Sequence, residues 1–207
     1  IYKSSQSLPK SLEAAGVRPD EVSVVINSHL HFDHCGWNTV RSESGQIVPM
    51  FPKAHYFAHQ GEVEHGHRQL DRDRISYISD NYDPLIASGQ MTLLDGHTPG
   101  KIFEIVPGIT CELFPGHTAQ LMAIHIDSAG KRATYISDLI PTSAHLDSTW
   151  VMGYDLYPLT CIEERKRFYR RAIPEKWLVL FTHDHDHPMG RIHINEKGKP
   201  ILQSIEE

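Results

Sequence analysis

The sequence predicts a layered α/β (α+β) domain, and three observations carry that expectation. Short apolar runs rich in β-branched residues recur along the chain, with turn signals between them. Stretches of helical character are interspersed among those runs. The 207 residues, 40% hydrophobic and 22% charged, suffice for one substantial core, so a single domain over 1–207 is expected.

In chain order, residues 11–15 (SLEAA) read as helix stopped by Gly16, which suits a left-handed C-terminal position. Residues 22–27 (VSVVIN) form a β-branched run typical of a buried strand, and they lead directly to His29. A second strand is expected at 54–58 and a charged surface helix at 60–78. Strands follow at 91–94, 102–106, 110–114, 121–127 and 132–137. Asp95-Gly96, Pro107-Gly108, Pro115-Gly116 and Ala129-Gly130 mark turns between them. A helix at 162–172 is announced by Thr160 and Glu163, a T-x-x-E capping box. Residues 177–182 (WLVLFT) form another buried strand ending at His183, and 191–195 with 200–202 suggest a terminal hairpin.

Composition narrows the function classes. The net charge of −6, without a basic block, argues against a nucleic-acid partner. The basic cluster Arg165, Lys166, Arg167, Arg170 and Arg171 follows Glu163 and Glu164, and reads as a solvated helix face. Cys35, Cys111 and Cys161 make neither a CxxC pair nor a disulfide framework, which fits a reducing, cytoplasmic location. No run approaches the roughly 18 apolar residues of a membrane span, and no signal peptide is visible, so no membrane partner is expected.

Histidine stands out, with 15 copies, and it is the commonest metal ligand. The segment His29-Leu30-His31-Phe32-Asp33-His34 reads H-x-H-x-D-H and begins where a buried strand ends. Three imidazoles and one carboxylate within six residues are costly to gather without a cation. The spacing lets His29 and His31 face one way and Asp33 and His34 another, which suits two metals about 3.5–4 Å apart. Further ligands are sought at other strand ends. His117 follows Pro115-Gly116, Asp138 follows the strand at 132–137, and His183 follows WLVLFT.

This pattern resembles the metallo-β-lactamase superfamily, through the H-x-H-x-D-H loop, Gly116-His117-Thr118, Ser137-Asp138 and His183 in that order. The resemblance implies a four-layer αββα sandwich. It also implies two Zn2+ ions, with other divalent metals as alternatives: His29, His31 and His117 on one, Asp33, His34 and His183 on the other, and Asp138 between them. His97, in a second Gly-His-Thr triplet, is the rival of His117, and His185 the rival of His183. Within the superfamily the chain looks most like the N-acyl homoserine lactone lactonases, by the stretches 137–146 and 150–155. That branch implies quorum quenching, with attack by a metal-bound hydroxide on a lactone carbonyl and Asp33 passing a proton to the leaving alkoxide. The alternatives are a phosphotriesterase or carboxylic ester hydrolase on the same binuclear centre and, third, a non-catalytic or redox metal-binding domain.

Two departures are visible. Many such lactonases carry Tyr three residues after the bridging Asp to polarise the carbonyl, whereas this chain has Pro141 there; His145, Tyr154 or Tyr157 are substitutes, with His145 preferred. Only 28 residues precede His29, so the first half is expected to lack its N-terminal strands, leaving an open edge that favours association such as a homodimer. The substrate is expected to be a small molecule with an apolar portion, met by Phe32, Trp37, Met122 and Trp150. Thr118 and Asp184 are expected to orient ligands, and Cys35 to serve packing.

Overall fold

The computed structural model describes residues 7–203. The chain divides into two compact units, Ile1–Asp95 and Gly96–Glu207.

The first unit contains α1 (Leu8–Ala14), β1 (Val24–Ile26), α2 (Phe32–Cys35), β2 (Thr39–Arg41), β3 (Ile47–Pro49), β4 (His55–His59), α3 (Gln60–His67), α4 (Asp83–Ala87) and β5 (Met91–Leu94). Its main sheet is parallel, in the order β1-β4-β5, with Val25 opposite Tyr56 and Tyr56 opposite Met91. Parallel neighbours need long crossovers. The first crossover carries α2 and the β2–β3 hairpin, and the second carries α3 and α4. Leu30, Tyr56, Ala58, Val63, Tyr82, Leu85 and Met91 fill the core of this unit. Gly16 ends α1 in the left-handed region, at φ +69°, as expected.

The helix expected over 60–78 stops at His67. Gln69 adopts φ +48°, and the chain then doubles back to bury Tyr77 and Tyr82. Both rings pack on Gly66, where an added Cβ would come within 2.7 Å of each. Burial of two aromatic side chains outweighs continuation of a charged helix.

The second unit contains β6 (Ile102–Val106), β7 (Ile109–Leu113), β8 (Met122–Ser128), β9 (Lys131–Tyr135), α5 (Pro158–Ala172), β10 (Leu178–Leu180), β11 (Met189–Ile194) and β12 (Pro200–Gln203). They form one seven-stranded sheet, β12-β11-β10-β9-β8-β7-β6. Only β9 and β10 run parallel, and α5 is the helix in their crossover. The expected terminal hairpin is β11–β12. Phe168 and Ala172 of α5 pack with Phe114, Ala123, Ile136, Trp177 and Val179 in this unit's core.

α5 corrects two expectations. It starts at Pro158, whose missing N–H costs nothing in a first turn, so Thr160 lies inside the helix and no side chain caps it. Its basic cluster is not a solvated face. Arg165 is fully buried and donates to the carbonyls of Leu139 (2.6 Å), His145 (3.3 Å) and Trp150 (2.7 Å). Arg167 and Arg171 both donate to the buried Glu112 carboxylate. Lys166 and Arg170 alone of the five are exposed.

Candidate metal centre

In the first unit, β1 hands the chain to the H-x-H-x-D-H loop. Asn27 still pairs with β4 through its N–H to the Phe57 carbonyl at 2.9 Å, and the ladder ends there. His29 sits on a bend just past β1, and His31, the residue before α2, lies on extended backbone. Its carbonyl accepts from the N–H groups of His34 and Cys35 at 3.0 Å, so Asp33 and His34 belong to a helical turn. The two pairs therefore sit on different backbone geometries. They are not cleanly separated in space: the His29 ring lies 4.6 Å from His31 and 4.0 Å from His34. Asp33 Oδ2 stands 3.5 Å from His34 Nε2. Ser28 Oγ meets His29 Nδ1 at 3.2 Å, which directs the Nε2 edge elsewhere. Cys35 is buried, its thiol donates to the Leu30 carbonyl, and burial pushes it up to about 12, so it packs and does not attack.

In the second unit, Gly116 places His117. It adopts φ +151°, and a Cβ there would come within 2.9 Å of the Cys161 backbone. The carbonyls of Gly116 and His117 accept from Tyr157 and Leu156, which brings Asp155 alongside. Asp155 Oδ1 then holds His117 Nδ1 at 3.0 Å, and its Oδ2 accepts from the Met152 N–H at 2.9 Å. With Nδ1 taken, Nε2 of His117 is turned toward Asp138, 3.5 Å from Oδ2. A carboxylate behind an imidazole, fixing its tautomer, is the usual support of a metal-binding histidine.

Asp138 lies just past β9 on a 3₁₀ turn and is buried. Ser137 before it adopts φ +53°, a left-handed conformation that is uncommon for serine. The other Asp138 oxygen, Oδ1, is 3.3 Å from Nε2 of His183. His183 is anchored by its N–H to the Pro141 carbonyl at 3.0 Å. Asp184 accepts from the Ser143 N–H at 2.7 Å and the His187 N–H at 2.8 Å, tying the His183 loop to the turn after Pro141. Burial alone would raise the Asp184 carboxyl; the Ser143 hydroxyl above all, with the Ser143 and His187 N–H groups, holds it below the usual carboxylate range.

The other expected residues fall as follows. His97 is exposed, with Nδ1 2.9 Å from Gln120 Nε2, and His185 is exposed. His145 places Nδ1 2.7 Å from the Thr142 hydroxyl. Burial, and secondarily the Arg165 guanidinium, push its pKa below the ordinary histidine value. Tyr154 and Tyr157 are exposed, as are Phe32, Trp37 and Trp150. Met122 is fully buried beside Leu121 and Ala123, so it is core and not a substrate contact. Thr118 acts through its carbonyl, which accepts from Gly116 at 2.8 Å. Asp155 was not singled out from the sequence; its signal was an acid closing the Trp150–Asp155 stretch.

The donors fit a borderline divalent cation: imidazole nitrogens and carboxylate oxygens, with His117 backed by its own carboxylate. Comparison with known proteins agrees. The profile described as the Metallo-beta-lactamase superfamily matches residues 2–204. An N-acyl homoserine lactonase of Bacillus cereus is 25% identical over 200 residues, covering 91% of this chain and 70% of that protein. A structure described as a "probable metal-dependent hydrolase" from Staphylococcus aureus superposes with a TM-score of 0.81 at 26% identity, over 99% of this chain and 71% of that one. The dizinc quorum-quenching lactonase AidC, in complex with a product, shares the fold at a TM-score of 0.77 and 22% identity, over 100% of this chain and 74% of its own. The chain belongs to the metallo-beta-lactamase superfamily and is a metal-dependent hydrolase.

Proposed function

We propose that this chain opens the ring of an N-acyl homoserine lactone, with His29, His31, Asp33, His34, His117, Asp138 and His183 holding two zinc ions. The observation that supports this best is Asp138. Its two oxygens face Nε2 atoms of two different histidines, at 3.5 and 3.3 Å. Two ligands on one tetrahedral zinc, with bonds of about 2.0–2.1 Å, stand about 3.3 Å apart. Asp138 meets that spacing on both sides, as a carboxylate shared by two ions would. The lactonase names of the relatives support the substrate class.

When bound, the ions supply a Lewis acid for the carbonyl and a water acidic enough to react near pH 7. The chain's own residues do the rest. Asp155 keeps Nδ1 of His117 occupied, so that Nε2 is the ligating atom. Asp33, whose side chain is 43% exposed, is placed to pass a proton to the leaving alkoxide. His145 takes the part of the lactonase tyrosine. Burial, and then Arg165, lower its pKa and so favour the neutral imidazole, and in the tautomer whose Nδ1 accepts from the Thr142 hydroxyl, Nε2–H is the donor for the substrate carbonyl. Pro141 cannot do this, having neither an N–H nor a side-chain donor; its carbonyl accepts from the His183 N–H. The exposed Trp150 and Tyr154, in the loop that ends at Asp155, offer apolar surface to an acyl chain.

No helix among the described residues is long and apolar enough to cross a membrane. The three cysteines are buried free thiols, which supports the cytoplasmic setting proposed for the chain.

Two measurements test this reading. Turnover of N-hexanoyl and N-decanoyl homoserine lactones is expected to exceed that of a phosphotriester by at least about a hundredfold, a difference of roughly 2.7 kcal/mol in transition-state binding. Phosphotriester turnover above lactone turnover would reassign the substrate, and Pro141 in the tyrosine position would then be the reason. Asp155→Ala is expected to weaken zinc binding by about 10–100-fold in a chelator competition titration; unchanged affinity would remove Asp155 from the support of His117.

A further inference from the structure

Glu62 is a buried carboxylate that the reaction does not use. It lies in the first turn of α3 and is 1% exposed. Its Oε2 accepts two hydrogen bonds, from the Leu30 N–H at 3.1 Å and from the Tyr77 hydroxyl at 3.0 Å. Its Oε1 is buried and accepts none, and Glu62 makes no ion pair among the described residues. A buried carboxylate without a cation is costly and calls for compensation.

Its two donors show where the compensation lies. Leu30 is the residue between His29 and His31, so Glu62 holds the one peptide from which both imidazoles diverge. The Leu30 carbonyl is held in turn by the Cys35 thiol at 3.4 Å, which fixes the residue from both ends. The Tyr77 ring meets His31 edge-on, with centroids 4.9 Å apart at 76°. By anchoring the Tyr77 hydroxyl, Glu62 therefore sets the surface against which the His31 ring rests.

We propose that Glu62 is a positioning residue of the metal loop, orienting His29 and His31 through Leu30 and Tyr77 and supplying the buried negative charge that balances a cation on those imidazoles. This rests on the reading of His29 and His31 as zinc ligands. It makes an unusual pair of demands on one substitution. In the metal-free chain the charge is a liability, so Glu62→Gln, which keeps the shape and an acceptor, leaves stability unchanged or raises it. In the metal-bound chain the charge is an asset, so the same variant binds zinc less tightly.

The test measures zinc affinity by competition with a chromogenic chelator, and thermal unfolding of the chelated protein, for wild type, Glu62→Gln and Tyr77→Phe. Glu62→Gln is expected to lower zinc affinity about tenfold or more, as losses of outer-sphere partners do, with no fall in metal-free stability. Tyr77→Phe is expected to lower affinity by a smaller factor, since it removes one hydroxyl and leaves the charge. A purely structural Glu62 would give the reverse: lower metal-free stability and unchanged affinity, which overturns the inference. Unchanged affinity in Tyr77→Phe also counts against it, and does so even if the glutamine variant fails to fold. A wild-type chain that binds no zinc overturns the functional reading and this inference together, whereas tight binding shared equally by all three chains overturns the inference alone.

Discussion

Asp138→Ala is expected to lower kcat/KM for an acyl homoserine lactone by about three orders of magnitude. The two oxygens of Asp138 address His117 and His183, one each. On the proposed reading its removal withdraws a negative ligand from each of two ions at once, and it takes away the carboxylate that His117 and His183 face. Metal centres contribute several kcal/mol of transition-state stabilisation, and about 4 kcal/mol corresponds to a thousandfold in rate. The fold should survive, because deleting a buried carboxylate removes a desolvation cost along with its hydrogen bonds. The checks are steady-state kinetics beside circular dichroism and zinc content. A folded variant within tenfold of wild type would take Asp138 out of the centre.

The largest expected effect on stability lies elsewhere, at Glu112 of β7. This carboxylate is buried and accepts from His125 Nε2 at 3.0 Å, from Arg171 Nη1 at 2.7 and 2.8 Å, and from Arg167. Burial would raise its pKa, but the His125, Arg171 and Arg167 hydrogen bonds together outweigh burial and hold it at about 2. Glu112→Ala should cost about 3–5 kcal/mol at pH 7, because it leaves cationic partners without their anion. The sign with pH follows from the depressed value. The stabilisation is complete above the ordinary carboxyl value of 4.5 and is lost as pH falls through about 2. In urea unfolding, the gap between wild type and Glu112→Ala is expected to narrow from pH 7 to pH 3. A constant gap would mean that the carboxylate charge is not what holds α5 to the sheet.

Glu112 also shows what could not be read from sequence. Five basic residues on a helix normally mean water, and nothing local in 163–171 announces an acceptor 55 residues upstream. Arg165 is the stronger case, since its acceptors are main-chain carbonyls, which any sequence supplies. Glu62 and Asp155 were missed for a related reason: each acts through another residue, and one carboxylate on a helix or loop carries no periodic signal. The ends of α3 and the start of α5 depended on buried tyrosines and on a proline whose neighbours suggested a later cap. What was legible had a local cause. β1 and β10 are β-branched or leucine-rich runs, and chemistry-bearing residues follow where they stop. The H-x-H-x-D-H loop, Gly116-His117, Ser137-Asp138 and His183 all stand at such ends.

The most direct test of the account is elemental analysis of the purified chain, paired on the same sample with ring opening of an acyl homoserine lactone before and after chelation. The account predicts close to two zinc ions per chain, turnover lost when the metal is stripped, and turnover restored when zinc is returned. A folded chain that binds no divalent metal, or one that opens the lactone equally well after its metal is removed, would contradict it.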